Sequence, residues 1–66
     1  MQYKIRDYRE QSGMTQQALA EKAGISRAIL SGLESGTIEV TTTKTLLKIA
    51  EALNVRVSNL FFEENV

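Results

Sequence analysis

The sequence predicts an all-α domain of five short helices, and three observations carry that prediction. Apolar residues recur at helical spacing in successive segments, glycines fall only between those segments, and no stretch alternates convincingly enough for a strand. In 66 residues without proline, these few break points divide the chain cleanly.

The first helix is expected from Gln2 to Gln11, where Ile5, Tyr8 and Ser12 share one face and charges fill the other. Ser12-Gly13 ends it. Thr15 is an N-cap for a short second helix, Gln16 to Lys22, whose inner face is Leu19, Ala20 and Ala23. Gly24 breaks that helix, and after a three-residue turn Ser26 caps a third, Arg27 to Ser35, with Leu30 and Leu33 inward. Gly36 stops it. The segment from Thr37 to Thr43 reads as a loop, with Ile38 and Val40 alternating like a short extended piece. Thr42 or Thr43 then caps a fourth helix whose stripe of Leu46, Leu47, Ile49, Ala50 and Leu53 is the strongest in the chain. Asn54 suits its left-handed end. A fifth helix is expected over Val57 to Phe62.

Composition narrows the function. A chain this short, residues 1–66, is one domain and buries only about 60% of the surface its unfolded form exposes. Cysteine is absent, which excludes disulfides and thiolate metal sites and fits a reducing cytoplasm. Histidine is absent too, removing the commonest general base and metal ligand. With no room for a cleft, neither an enzyme nor a metal or cofactor site is expected. No apolar stretch approaches the ~18 residues a membrane helix needs, and no export signal is legible at the N-terminus. Eight basic residues balance eight acidic ones, so any affinity for a polyanion depends on how the charges segregate by face.

The informative segment is Thr15 to Gly36: short helix, Ala23-Gly24-Ile25 turn, short helix. Ala20 and Ala23 let the two backbones approach, Gly24 supplies the backbone angle, and Ile25 plugs the corner. The third helix is thereby pushed outward, as a major groove requires. The run Thr15-Gln16-Gln17-Ala18-Leu19-Ala20-Glu21-Lys22-Ala23-Gly24-Ile25-Ser26-Arg27 resembles the signature of the Cro and lambda-repressor type helix-turn-helix regulators. The likeness continues through Leu33-Glu34-Ser35-Gly36 and from Thr45 to Leu53, and ends at Leu60-Phe61, so it covers nearly the whole chain.

That resemblance implies a compact lambda-repressor-like domain, with the helix-turn-helix at about 15–35, binding double-stranded operator DNA to regulate transcription. By the same resemblance Gln16 is expected at a DNA phosphate, and Arg27 and Ala28 at base edges. Gly32 matches a position often long and polar in relatives, and Arg9 and Glu34 match an ion pair tying the first helix to the third. The sequence departs from the pattern at Ala28, at Gly32, at Arg56 where relatives often place a serine, and in a loop about one residue longer than common.

Beside these, Gln17 divides evenly between helix surface and phosphate contact. Ser31 shares the outer face with Arg27 and Ala28, and Ile29 either packs toward Ile38 or touches a thymine methyl, with packing favoured. Thr37, Thr43 and Lys44 suit the DNA backbone, although a threonine-rich loop is also what caps require. Val57, Leu60 and Phe62 exceed what one short helix needs for docking and are expected at a homodimer contact. The rival expectation is a protein-interaction module on the same fold, such as an antitoxin-like subunit, supported by the neutral charge, Ala28 and Gly32.

Overall fold

A computed structural model describes residues 3–38 and 40–60. Four α-helices follow one another: α1 (Ile5–Gln11), α2 (Gln16–Ala23), α3 (Arg27–Ser35) and α4 (Thr43–Leu53). A single 3₁₀ turn, Val57–Leu60, comes after them, and no strand occurs among the described residues.

The helix starts follow from side-chain caps. The hydroxyls of Thr15, Ser26 and Thr42 accept the N–H groups of Ala18, Ile29 and Thr45 at 3.0, 3.1 and 3.1 Å. Each cap residue is extended, and each satisfies a donor that the first turn leaves without an intrahelical partner. Thr42 therefore fills the role for which Thr43 was the alternative. α1 lacks a side-chain cap. It starts at Ile5, three residues later than the sequence suggests, where Lys4 donates its backbone N–H to the carbonyl of Leu60 at 2.8 Å. That bond joins the two ends of the described chain.

The helix ends share one device. Gly24, at φ +74°, closes α2 in the left-handed region, which a residue with a β-carbon enters only at a cost. Asn54 closes α4 in the same way at φ +60°. In both cases the next residue, Ile25 or Val55, returns its N–H to a carbonyl of the helix just left and packs its side chain against the core.

That core is made of Ile5, Leu19, Ala20, Ala23, Leu30, Leu33, Ile49, Ala50, Ala52, Leu53 and Leu60. α2 lies between α3 and α4, and the 3₁₀ turn packs on α4. Burial of Ala20 and Ala23 lets α2 approach its neighbours closely. Two apolar expectations are corrected. Leu47 stands half exposed while Ala52 turns inward, so the stripe on α4 is rotated slightly from the sequence reading. The expected fifth α-helix is also absent from the described residues. Residues 57–60 form only a 3₁₀ turn, too short to repay α-helical nucleation, and Phe61 and Phe62 lie outside the described residues.

Candidate nucleic-acid interface

α2 and α3 are separated by Gly24, Ile25 and Ser26 alone. The Gly24 and Ile25 N–H groups both donate to the Ala20 carbonyl, at 2.9 and 3.0 Å, so the turn is fixed by backbone bonds. α3 then buries Leu30, Leu33 and Glu34. At about 100° per residue, positions 28, 32 and 35 face away from that buried side.

The buried side is held electrostatically as well as by packing. The Arg9 guanidinium donates Nε to Glu34 Oε2 at 2.8 Å and Nη2 to Glu34 Oε1 at 3.1 Å, a two-bond fork. Its Nη1 reaches the Met14 carbonyl at 2.8 Å. Gln16 Nε2 completes the set by donating to Glu34 Oε1 at 3.0 Å. Glu34 is buried and Arg9 partly so, with side chains 3% and 11% accessible, and α1, α2 and α3 meet around this one carboxylate. The hydrogen bond to Glu34 raises the Arg9 pKa, against the lowering effect of burial, and the Glu34 and Glu10 charges raise it further.

The outer side carries little charge. Arg27 and Ala28 are exposed at the start of α3, Ser31 is half exposed, and Ile29 flanks them at 41% exposure. Gly32 is only half exposed although it points outward, because the loop covers it. A β-carbon built there would lie 2.5 Å from Ile38 Cδ1 and 2.6 Å from its Cγ1. Thr37 is exposed and its hydroxyl meets that of Ser35 at 2.9 Å. Thr43 and Lys44 are exposed in the first turn of α4. Gln17 is exposed beside Gln16, its amide donating to Glu21 at 2.9 Å.

Two contributors were not singled out by sequence. Ser35 shares the outward side of α3, a position that the 3.6-residue period alone identifies. Ile38 is the other, and its signal was a glycine inside a helix, which usually marks a close approach. At the C-terminal end of the described residues, Leu60 is fully buried in the core. Val57 is partly buried against the same core, and Phe62 lies outside the described residues. The described residues include no cluster of three metal-ligating side chains and no helix long and apolar enough to cross a membrane.

A short helix, a three-residue turn and an outward second helix braced from behind define a helix-turn-helix domain. The helix-turn-helix family pattern matches residues 5–60, and the chain belongs to this family of DNA-binding transcriptional regulators. An HTH-type transcriptional regulator of Archaeoglobus fulgidus is 38% identical over 61 residues, which are 92% of this chain and 86% of that protein. The crystal structure of SinR, a Bacillus subtilis master regulator for biofilm formation, in complex with DNA superposes with a TM-score of 0.81. It is 33% identical, over 83% of this chain and 87% of that one. SinR in its complex with SinI is similar at 33% identity and a TM-score of 0.86, over 91% of this chain and 58% of that one.

Proposed function

We propose that this chain regulates transcription by occupying a palindromic operator as a homodimer, with α3 of each subunit in the major groove. The observation that carries the reading is the asymmetry of α3. One side is clamped by Leu30, Leu33 and the Arg9–Glu34–Gln16 cluster, while the other presents Arg27, Ala28 and Ser31 outward. Arg27 offers a guanidinium that can grip the O6 and N7 of guanine with two bonds. Ala28 offers a methyl. Gln16 and Gln17 open α2, where first-turn N–H groups and the Gln17 amide suit a phosphate. Gln16 braces the cluster through its Nε2, which directs its part toward positioning. Thr37, Thr43 and Lys44 extend the phosphate contacts along the backbone. Two such subunits related by a two-fold axis would place their α3 helices about one DNA turn, ~34 Å, apart.

A second reading, a protein-interaction module, draws support from the similarity to SinR in its complex with SinI. One experiment separates the two. Sequences are selected from a random DNA pool, and the winner is titrated over a range of salt concentrations. The expected result is a two-fold symmetric site and a shallow salt slope. Of the eight basic residues, Arg27, Lys44 and Lys22 are the ones expected to face phosphate on each subunit, so a dimer should not exceed a slope of about −5 in log affinity against log salt. A pool from which nothing is enriched removes the DNA reading and leaves the protein partner.

A further inference from the structure

The outward side of α3 holds one long polar side chain, Arg27, and otherwise alanine, serine and glycine, with Ile29 exposed at its flank. A helix so sparsely furnished reads few bases by hydrogen bonding. The loop after α3 supplies what the helix lacks. Gly36 ends the helix at φ +89°, and the chain doubles back so that the Ile38 N–H donates to the Gly32 carbonyl at 3.0 Å. The Ile38 side chain then lies across Gly32, occupying the space that a β-carbon there would enter. At the two other glycines whose surroundings are described, Gly13 and Gly24, a β-carbon would meet nothing within 4 Å. The close approach is therefore particular to position 32. Ile38 remains partly exposed in this seat, and Ala28 lies one helical turn before Gly32 on the same side.

We propose that Ile38, a loop residue seated on Gly32, is a base-contacting residue that reads a thymine methyl group in the major groove. The inference rests on α3 facing DNA. Its chemistry is apolar: the 5-methyl of thymine is the one hydrocarbon group that base pairs present in that groove, and it distinguishes A·T from the other pairs. The alanine at 28 and the isoleucine over 32 together give that side of α3 a hydrocarbon surface, next to the guanine-reading Arg27. Specificity at this position is thus carried by a side chain outside the helix, and Gly32 is what makes room for it.

The test uses the full chain and its selected site. Each thymine is replaced in turn by uracil, which removes only the methyl, and binding is measured by fluorescence anisotropy for wild type and Ile38→Ala. One thymine per half-site is expected where uracil weakens the wild type about fourfold, the effect of removing one buried methyl group. At that position Ile38→Ala should respond less than about twofold. Circular dichroism confirms that the variant is folded, and Ile38→Val, which keeps the branched shape, takes its place if it is not. Uracil substitutions that act equally on wild type and variant overturn the inference while leaving DNA binding through α3 intact. A wild type that selects no sequence, or an Arg27→Ala variant with unchanged preference, overturns the reading of α3 itself and this inference with it.

Discussion

The two sides of α3 are built on opposite principles. On the inner side Leu30 and Leu33 have no accessible surface, and Glu34 is held by three donors from Arg9 and Gln16. On the outer side the side chains are short, one charge stands at the start of the helix, and a loop residue lies over a glycine. On the proposed reading, the first side serves folding and the second recognition. The two should therefore separate under mutation: inner changes should lower stability while leaving sequence preference alone, and outer changes should do the reverse.

The largest effect is expected from Arg9→Met. It leaves the Glu34 carboxylate buried without its cationic partner, a situation that costs about 3–5 kcal/mol. A domain of this length is stable by only about 3–10 kcal/mol, so the variant should be largely or partly unfolded at room temperature. Replacing both partners, as Arg9→Met with Glu34→Leu, should recover more than half of the loss in urea unfolding. A single variant as stable as wild type would mean that the inner side depends on packing alone. The pair adds no pH dependence near neutrality through Arg9. Its folded pKa is raised, so its contribution is complete below the unfolded value and declines only as pH rises through the folded value, far above neutral.

On the outer side, Arg27→Ala should cost about 1–3 kcal/mol of specific DNA binding and relax preference at one base position. Its melting temperature should stay close to that of wild type, because an exposed side chain away from packing usually changes stability by less than about 0.5 kcal/mol. A large loss of stability with unaltered preference would erase the contrast between the sides.

The inner side was far more legible in the sequence than the outer one. Leu19, Leu30, Leu33, Ile49 and Leu53 are buried where their spacing puts them, and the boundaries of α3 agree to the residue. Thr15, Ser26, Gly24 and Asn54 act as the caps their chemistry suggests. Such features are local, fixed by a hydroxyl, a missing β-carbon or a period. What escaped is where a segment without period goes. Ile38 and Val40 alternate in sequence, yet Ile38 folds over α3 and Val40 is 88% exposed, since the path of the loop is set by its bond to the Gly32 carbonyl and not by alternation. The packing of Leu60 on its own core was hard to read for a related reason. Surplus apolar residues near a terminus look the same whether they cover their own core or a partner's, and only the packing on α4 tells them apart.

Ser26 belongs to both sides because it starts the helix that carries them. Ser26→Ala removes the acceptor for the Ile29 N–H and should lower stability by about 1 kcal/mol. DNA affinity should fall with it, without any shift in preference, because the side chains proposed to contact bases are unchanged while the first turn of α3 frays. Thr42→Ala, the equivalent change at α4, should cost a similar amount of stability. Its effect on affinity should be smaller, since on the proposed reading α4 offers only Thr43 and Lys44 to the phosphates. Equal losses of affinity in the two variants would show that the start of α3 is no closer to the bases than the start of α4.

The smallest effect is expected at Gly32, and its sign is the informative part. Inside a helix, alanine is favoured over glycine by roughly 1 kcal/mol, so Gly32→Ala would ordinarily stabilise the protein. Here the new β-carbon meets Ile38 Cδ1 and Cγ1 well inside contact distance. The branched side chain must leave its seat, which exposes apolar surface and pulls on the bond from the Ile38 N–H to the Gly32 carbonyl. In the wild-type background the two effects should nearly cancel or destabilise. In an Ile38→Ala background the obstruction is gone, and the same change should stabilise by about 0.5–1 kcal/mol. The resulting coupling, read from urea unfolding of the four proteins, should be at least about 0.5 kcal/mol, as for residues in direct contact. Equal stabilisation in both backgrounds would place Ile38 away from Gly32 in solution and return the outer side of α3 to the helix alone.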